Sequence, residues 1–326
     1  QEAECLVSCK NEVGDSAVWC PRRQRLCWLD LSKQELWSFE PKEGAAVHQS
    51  VDLGWQGGCL ALRKENGFVV CSALGIGLLD DSVVQHEGPR LNPRIVCHPV
   101  ESEGLDSDVV RLHSGRVDPD GRLVIGTYHT KYELFTDELG SLVNDSLPDG
   151  KDPRGGVYRV SVTSSYIWGP QGQLEALSGL GKVCLANGMA FAEGKDGSHV
   201  MYFVDTPTRQ VRSFKYGDVL SGETTLTEPM LHKGGPNGAC SDSEGGYWIA
   251  EQGAGRVVRV KDGQISMIVT VASSMVTSCT FGGPGLGVLY ITTARLKDQD
   301  LSDNSGGLFA CSSTGYTGIP ENYFDG

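Results

Sequence analysis

Two Asn-Gly pairs, Asn187-Gly188 in LANGMAF and Asn237-Gly238 in GGPNGACS, lie fifty residues apart, each directly before a run of strand-forming residues. By itself the pair signals a hairpin turn, because both residues tolerate left-handed backbone. Its recurrence opens a second reading, in which both amide oxygens face one ligand. The corresponding position elsewhere in the chain holds Asp15 in GDSAVW, His113 in RLHSGRVDPDG and Thr277-Ser278 in VTSCTFGG. One carboxylate, two amides and an imidazole are mainly oxygen donors. They suit a hard cation such as Ca²⁺ or Mg²⁺ better than a thiolate-loving metal. With a single carboxylate the cage is weak and needs waters or backbone carbonyls to complete it.

For these residues to meet, the fold must bring equivalent positions of successive repeats to one axis. Glycine makes up 43 of 326 residues with no collagen-like period, which points to many tight turns between short strands. Segments such as LCWLDLSKQELWSFEP, GRLVIGTYH and GYWIAEQGAGRVVRV alternate strand and turn, and no helix of ten or more residues shows a 3.6-residue stripe. Turn glycines Gly14, Gly57, Gly115, Gly188, Gly238 and Gly282 are separated by 43, 58, 73, 50 and 44 residues. A four-stranded propeller blade occupies roughly 40 to 50 residues, so the two long intervals imply insertions. The expected fold is all-β, a six-bladed β-propeller forming a single domain over residues 1–326, with its site in the central channel. Polar insertions near 86–108 and 129–155 are expected to cap that channel.

A net charge of −13 would repel a phosphate backbone and argues against a nucleic-acid partner. No apolar run approaches the length of a membrane span, and no signal segment opens the sequence. The expectation is a soluble protein with a small-molecule substrate. Eleven cysteines form no C-x-x-C pair and no zinc spacing, and read mainly as buried thiols in a reducing, cytoplasmic compartment, with Cys5–Cys9 or Cys20–Cys27 disulfides as the alternative.

Motifs spread through the chain carry a resemblance. They are Gly14-Asp15-Ser16-Ala17-Val18-Trp19, Arg111 through Gly121, Asn187-Gly188, Pro236-Asn237-Gly238 with Asp242, Gly245 and Trp248, Thr277 through Gly283, and Gly306-Gly307-Leu308-Phe309. In this order they resemble the senescence marker protein, gluconolactonase and luciferin-regenerating enzyme family, also represented by regucalcin. The resemblance implies a six-bladed propeller with one divalent cation in its channel, and hydrolysis of a sugar lactone or related cyclic ester. The family's metal ligands are a glutamate, an asparagine and an aspartate, at positions that carry Asp15, Asn187 and Asn237 here. Asn237 can ligate through its amide oxygen but cannot accept a proton as the family's aspartate does.

The family's Arg-x-Asn-Asp-Gly sugar contact reads Arg111-Leu112-His113-Ser114-Gly115 here, so the substrate-binding candidates are Arg111, His113 and Ser114. Catalytic candidates are His113, as a general base or a substrate hydrogen bond, and Asp15. Asp205 could orient the site or cap a turn. Glu251 could line the channel or end a solvated strand. His129 and Glu133 begin a lid-like insertion. The Asp118-Pro119-Asp120-Gly121 and Asp242-Ser243-Glu244-Gly245 stretches are turn chemistry. Non-hydrolytic chemistry such as ring opening, closure or isomerisation is the alternative, as is a propeller that binds metal or ligand without turnover.

Overall fold

The computed structural model describes residues 1–41, 47–80, 82, 92–131, 155–165, 169–227, 235–296 and 302–326. Runs of Val, Ile, Leu and aromatic residues broken by glycine and Asp-x-x-Gly turns form six antiparallel four-stranded sheets among the described residues. The first comprises β2 (Gly14–Cys20), β3 (Arg25–Asp30), β4 (Glu35–Glu40) and β5 (Val47–Asp52). The second holds β6 (Gly57–Leu62), β7 (Phe68–Ser72), β8 (Gly75–Leu79) and β9 (Arg94–Cys97), and the third β10 (Val110–Val117), β11 (Leu123–His129), β12 (Val157–Ser165) and β13 (Gly169–Ala176). The fourth holds β14 (Ala186–Glu193), β15 (His199–Asp205), β16 (Arg212–Lys215) and β17 (Ser221–Thr225), and the fifth β18 (Gly235–Ser241), β19 (Tyr247–Gln252), β20 (Arg256–Lys261) and β21 (Gln264–Thr270). The sixth joins β22 (Val276–Gly282), β23 (Val288–Thr293) and β24 (Leu308–Cys311) to β1 (Glu4–Val7), so the start of the chain supplies the outer strand of the last blade. Successive inner strands β2, β6, β10, β14, β18 and β22 touch, and β22 returns to β2. The fold is a six-bladed β-propeller.

Each blade is a sheet with two apolar faces, and each face is buried against a neighbouring blade. The core is accordingly divided into six clusters, one per interface. At the closing interface Trp19 stacks on Tyr290 with ring centroids 5.8 Å apart, packed beside Trp28 and Phe39. Burying each such side chain contributes about 1.5–3 kcal/mol. The Asp-x-x-Gly turns are structural. The Asp242 carboxylate accepts from Gly246 N at 2.8 Å, Trp248 Nε1 at 2.8 Å and Arg259 Nε at 2.6 Å. Asp118 is held in the same manner by its own turn, by Arg122 Nε at 2.8 Å and by the Tyr216 hydroxyl at 2.6 Å.

The glycines used to count blades all fall on inner strands, but at different heights, since Gly14 begins β2 and Gly282 ends β22. Neither Asn-Gly pair is a hairpin turn, because both lie inside inner strands, on β14 and β18. The expected insertion near 86–108 is largely blade structure: it contains β9 and the short helix α1 (Pro99–Ser102), while 86–91 lies outside the described residues. The insertion near 129–155 leaves the end of β11, and 132–154 with Glu133 lies outside the described residues. All eleven cysteines are free thiols. No helix among the described residues is long and apolar enough to cross a membrane.

Candidate functional site

Every inner strand carries a register shift near its start, between Asp15 and Val18, Gly57 and Cys59, Leu112 and Gly115, Asn187 and Ala190, Pro236 and Ala239, and Val276 and Ser278. Such a bulge bends the strand and re-aims the adjoining side chains. Six of them at matching heights surround a cavity of about 350 Å³, and Asp15, Arg111, His113, Asn187, Asn237 and Thr277 all line it. Ser114 instead lines a smaller cavity of about 20 Å³ deeper in the channel, shared with Asp15, His113 and Asn187.

The three oxygen-bearing candidates are positioned by different means. Asp15 accepts from Ser16 N at 2.5 Å, and Ser16 adopts left-handed backbone with φ of 56°. That strained conformation is held from the next blade, where Leu60 N donates to Ser16 Oγ at 2.8 Å. Thr277 Oγ1 donates to the Gly14 carbonyl from the opposite side. Burial pushes the Asp15 carboxyl up to about 7 against the opposing pull of the Ser16 amide and Arg116. Among the described residues lining the cavity, Asp15 is the only carboxylate.

Asn187 precedes Gly188, whose φ of 60° is the freedom that glycine supplies here. Its Nδ2 donates to Thr206 Oγ1 at 2.9 Å, and Thr206 Oγ1 donates onward to the Pro236 carbonyl at 2.9 Å. With its only proton committed, the hydroxyl must face the amide NH₂, which leaves Asn187 Oδ1 for the cavity. Asn237 uses its glycine differently. A Cβ on Gly238 would sit 2.6 Å from Ser278 Oγ and 2.9 Å from Ser278 Cα, so the close approach of two inner strands demands glycine. Asn237 Nδ2 has one long contact, to Gln252 Oε1 at 3.4 Å, and its Oδ1 is buried without a partner. An orphaned buried carbonyl oxygen carries a desolvation penalty that a cation would relieve. The donor set thus fits a hard cation: one carboxylate and two amide oxygens on a shared cavity. No group of three or more His, Cys, Asp or Glu side chains among the described residues is arranged to hold a metal, so any cation here depends on the amides.

His113 packs against Tyr128 with centroids 5.2 Å apart, and burial pushes its imidazole down to about 4. Arg111 Nη1 donates to Gln56 Oε1 at 3.3 Å at the rim. Asp205 acts behind the site: it accepts from Cys184 N at 3.1 Å and Leu185 N at 2.8 Å, bracing the chain as it enters β14. Asp30 holds Glu12 N at 2.9 Å and Val13 N at 3.2 Å in the same way before Asp15. Glu251, at the corresponding end of β19, neither lines the cavity nor is solvated; it is buried and paired with Arg256. His129 is also buried, at the end of β11, where its Nδ1 accepts from Lys131 N at 3.1 Å, rather than opening an exposed loop. Sequence reasoning missed Gln56, Gln252 and Thr206, which stand near the ends of neighbouring strands at the same rim. It also passed over Arg116, whose arginine in an inner strand facing a channel was a usable signal.

Comparison with known proteins agrees with this architecture. Residues 13–295 match the family model described as the SMP-30/Gluconolactonase/LRE-like region. The chain is 30% identical to 6-deoxy-6-sulfogluconolactonase of Pseudomonas putida, covering 90% of this chain and 87% of the relative. It is also 30% identical to L-arabinolactonase of Azospirillum brasilense, covering 100% and 96%. Among solved structures, the calcium-binding protein regucalcin from Agrobacterium tumefaciens superimposes with a TM-score of 0.76 at 22% identity, covering 99% of this chain and 97% of that one. With the family model spanning most of the propeller and the lactonase relatives aligned along nearly its whole length, the chain belongs to the SMP-30/gluconolactonase/LRE-like family.

Proposed function

We propose that this protein is a divalent-cation-dependent hydrolase of a lactone or related cyclic ester, with Asp15, Asn187 and Asn237 as the cation's protein ligands. The observation that carries the reading is the buried, unpartnered Asn237 Oδ1 on the same cavity as the Asp15 carboxylate and the Asn187 amide. Relatives named as lactonases support the reaction class. A cation held there would supply Lewis-acid polarisation of an ester carbonyl and acidify water. Oxygen ligands favour Ca²⁺, with Mg²⁺, Mn²⁺ or Zn²⁺ as alternatives.

The chain's own side chains then divide the remaining work. Arg111 and Gln56 face the rim, where they can hold polar substituents of the ring. His113, neutral at physiological pH, accepts or donates a hydrogen bond to substrate and is a weak proton acceptor. Asp15 is the carboxylate available to draw a proton from water. Ser114 sits deeper, at the small cavity, and serves the floor of the site.

Two observations favour a second reading, in which the pocket binds cation and ligand but opens, closes or isomerises a ring without hydrolysis. Asn237 is not a base, and His113 is pushed well below neutrality. Calorimetric titration of the metal-stripped protein with Ca²⁺, Mg²⁺, Mn²⁺ and Zn²⁺, followed by a lactone panel with the binding ion, separates the two. Saturable one-to-one binding with hydrolysis supports the lactonase. Binding without hydrolysis moves the assignment to the second reading, and absence of binding removes both.

A further inference from the structure

Beneath the cavity, Arg116 reaches across the channel. It stands on β10 in the third blade, and its Nη2 donates to the Ala239 carbonyl on β18 in the fifth at 2.7 Å. Its Nη1 donates to Glu321 Oε1 at 2.5 Å. The same carboxylate oxygen accepts from Thr280 Oγ1 at 3.2 Å, on β22 in the sixth blade. The segment bearing Glu321 lies across the channel end remote from the cavity. There Asn322 Nδ2 donates to the Val117 carbonyl at 3.0 Å, and Phe324 is buried between the second and third blades. The Arg116–Glu321 pair therefore ties three blades and this plug segment together.

Ala239 is the first residue past the bulge that carries Asn237. Among the described residues, the Asn237 side chain has only the 3.4 Å contact with Gln252 to fix it. Its placement is inherited from the backbone at 237–239, which Gly238 presses against Ser278 and Arg116 anchors through the Ala239 carbonyl. The other two bulges have their own anchors. Tyr247 Oη donates to the Gly188 carbonyl at 2.7 Å, and Leu60 N to Ser16 Oγ at 2.8 Å. Among the described residues, of these three bulges only that of Asn237 accepts a hydrogen bond from a charged side chain of a non-neighbouring blade.

We propose that Arg116, seated by Glu321, is a positioning residue that sets the Asn237 amide at the cavity. This rests on the reading of Asn237 as a cation ligand. It adds that the orientation of this ligand is controlled from the far end of the channel. Bidentate geometry matters: arginine can serve the Ala239 carbonyl and the Glu321 carboxylate together, whereas lysine offers one point of charge.

The test uses R116K, E321Q and the double variant R116M/E321M, which avoids leaving one buried charge unpaired. In the metal-free protein, side-chain amide resonances of Asn237 and Asn187 are followed by ¹⁵N NMR, with thermal melting as the check on folding. The Asn237 resonance is expected to move in R116M/E321M and less in R116K, with Asn187, which meets this bulge only through Thr206 and the Pro236 carbonyl, moving less than Asn237. Ca²⁺ affinity is expected to fall by about 10–100-fold in the double variant, the usual scale for partners that orient a ligand, and R116K to recover part of it. E321Q is expected to lie between wild type and the double variant. An unmoved Asn237 resonance in a folded double variant, or movement of Asn187 to the same extent, overturns the proposal. Wild type that binds no Ca²⁺ while Asn237 still shifts on mutation overturns the cation reading and leaves the positioning role standing.

Discussion

Thr206 Oγ1 lies 2.9 Å from Asn187 Nδ2 and, through its single proton, 2.9 Å from the Pro236 carbonyl. The hydroxyl thereby reads the blade-five backbone and orients the blade-four amide in one contact. T206V keeps the shape and removes both bonds. It is expected to cost about 1–3 kcal/mol of stability and to weaken Ca²⁺ binding by about 10–100-fold, measured by melting and calorimetry.

N237D restores a carboxylate where the chain carries an amide. Affinity for Ca²⁺ rises with the charge of the ligand set, so tighter binding by about ten-fold or more is expected in calorimetric titration. Lactone turnover should rise with it if the amide limits proton transfer. Unchanged affinity would mean that the Asn237 oxygen does not face the ion.

G238A places a methyl group 2.6–2.9 Å from Ser278 Oγ, Cβ and Cα, two of which cannot rotate away. Overpacking of this kind costs about 1–3 kcal/mol. Thermal melting should show that loss together with weakened cation binding, whereas a neutral result would contradict the close approach of β18 and β22.

Desolvation of the half-buried His113 ring pushes its imidazole down to about 4 from its ordinary value. Between that value and about 6.5 the unfolded chain binds a proton that the folded chain refuses. Stability contributed by this group is therefore present above that window and declines as pH falls through it. An NMR titration of the His113 ring should have its midpoint near 4. H113Q should raise KM by about ten-fold, the scale of one hydrogen bond, without moving the pH–rate profile between pH 6 and 8.

Asp242 is buried, which alone would raise its carboxyl, but the Arg259 side chain, the Gly246 amide and Trp248 outweigh that and hold it below its ordinary value. Its stabilisation is present above about pH 4 and is lost as pH falls through the lower folded value. D242N should cost about 3–5 kcal/mol near neutrality by removing the buried carboxylate partner of Arg259, which keeps only the 3.8 Å approach of the more exposed Glu244 as an ion pair. Melting curves for wild type and D242N should draw closer as pH falls below about 4.

The blade count and the shared cavity of Asp15, Asn187, Asn237, His113 and Arg111 were legible because each blade repeats its strand and turn residues locally. The motif from Asn237 to Trp248, for instance, contains its own turn, and Asp242 closes it within six residues. What local sequence cannot carry is contact across the ring. The pairing of β1 with β24 joins residues some three hundred positions apart. Thr206 and Gln252 serve residues about fifteen to thirty positions away, and Arg116 meets Ala239 and Glu321 only because the channel exists. The two Asn-Gly pairs look alike in sequence, yet Gly188 is required for left-handed backbone and Gly238 for packing against Ser278. Glu251 and His129 looked like rim residues by position and are buried because neighbouring strands cover them.

The most direct measurement is calorimetric titration of metal-stripped wild type, D15N and N187L with Ca²⁺. One saturable site per chain is expected in wild type, with binding lost in D15N and strongly reduced in N187L while both variants remain folded. Equal Ca²⁺ binding by all three proteins would contradict the placement of the cation among Asp15, Asn187 and Asn237.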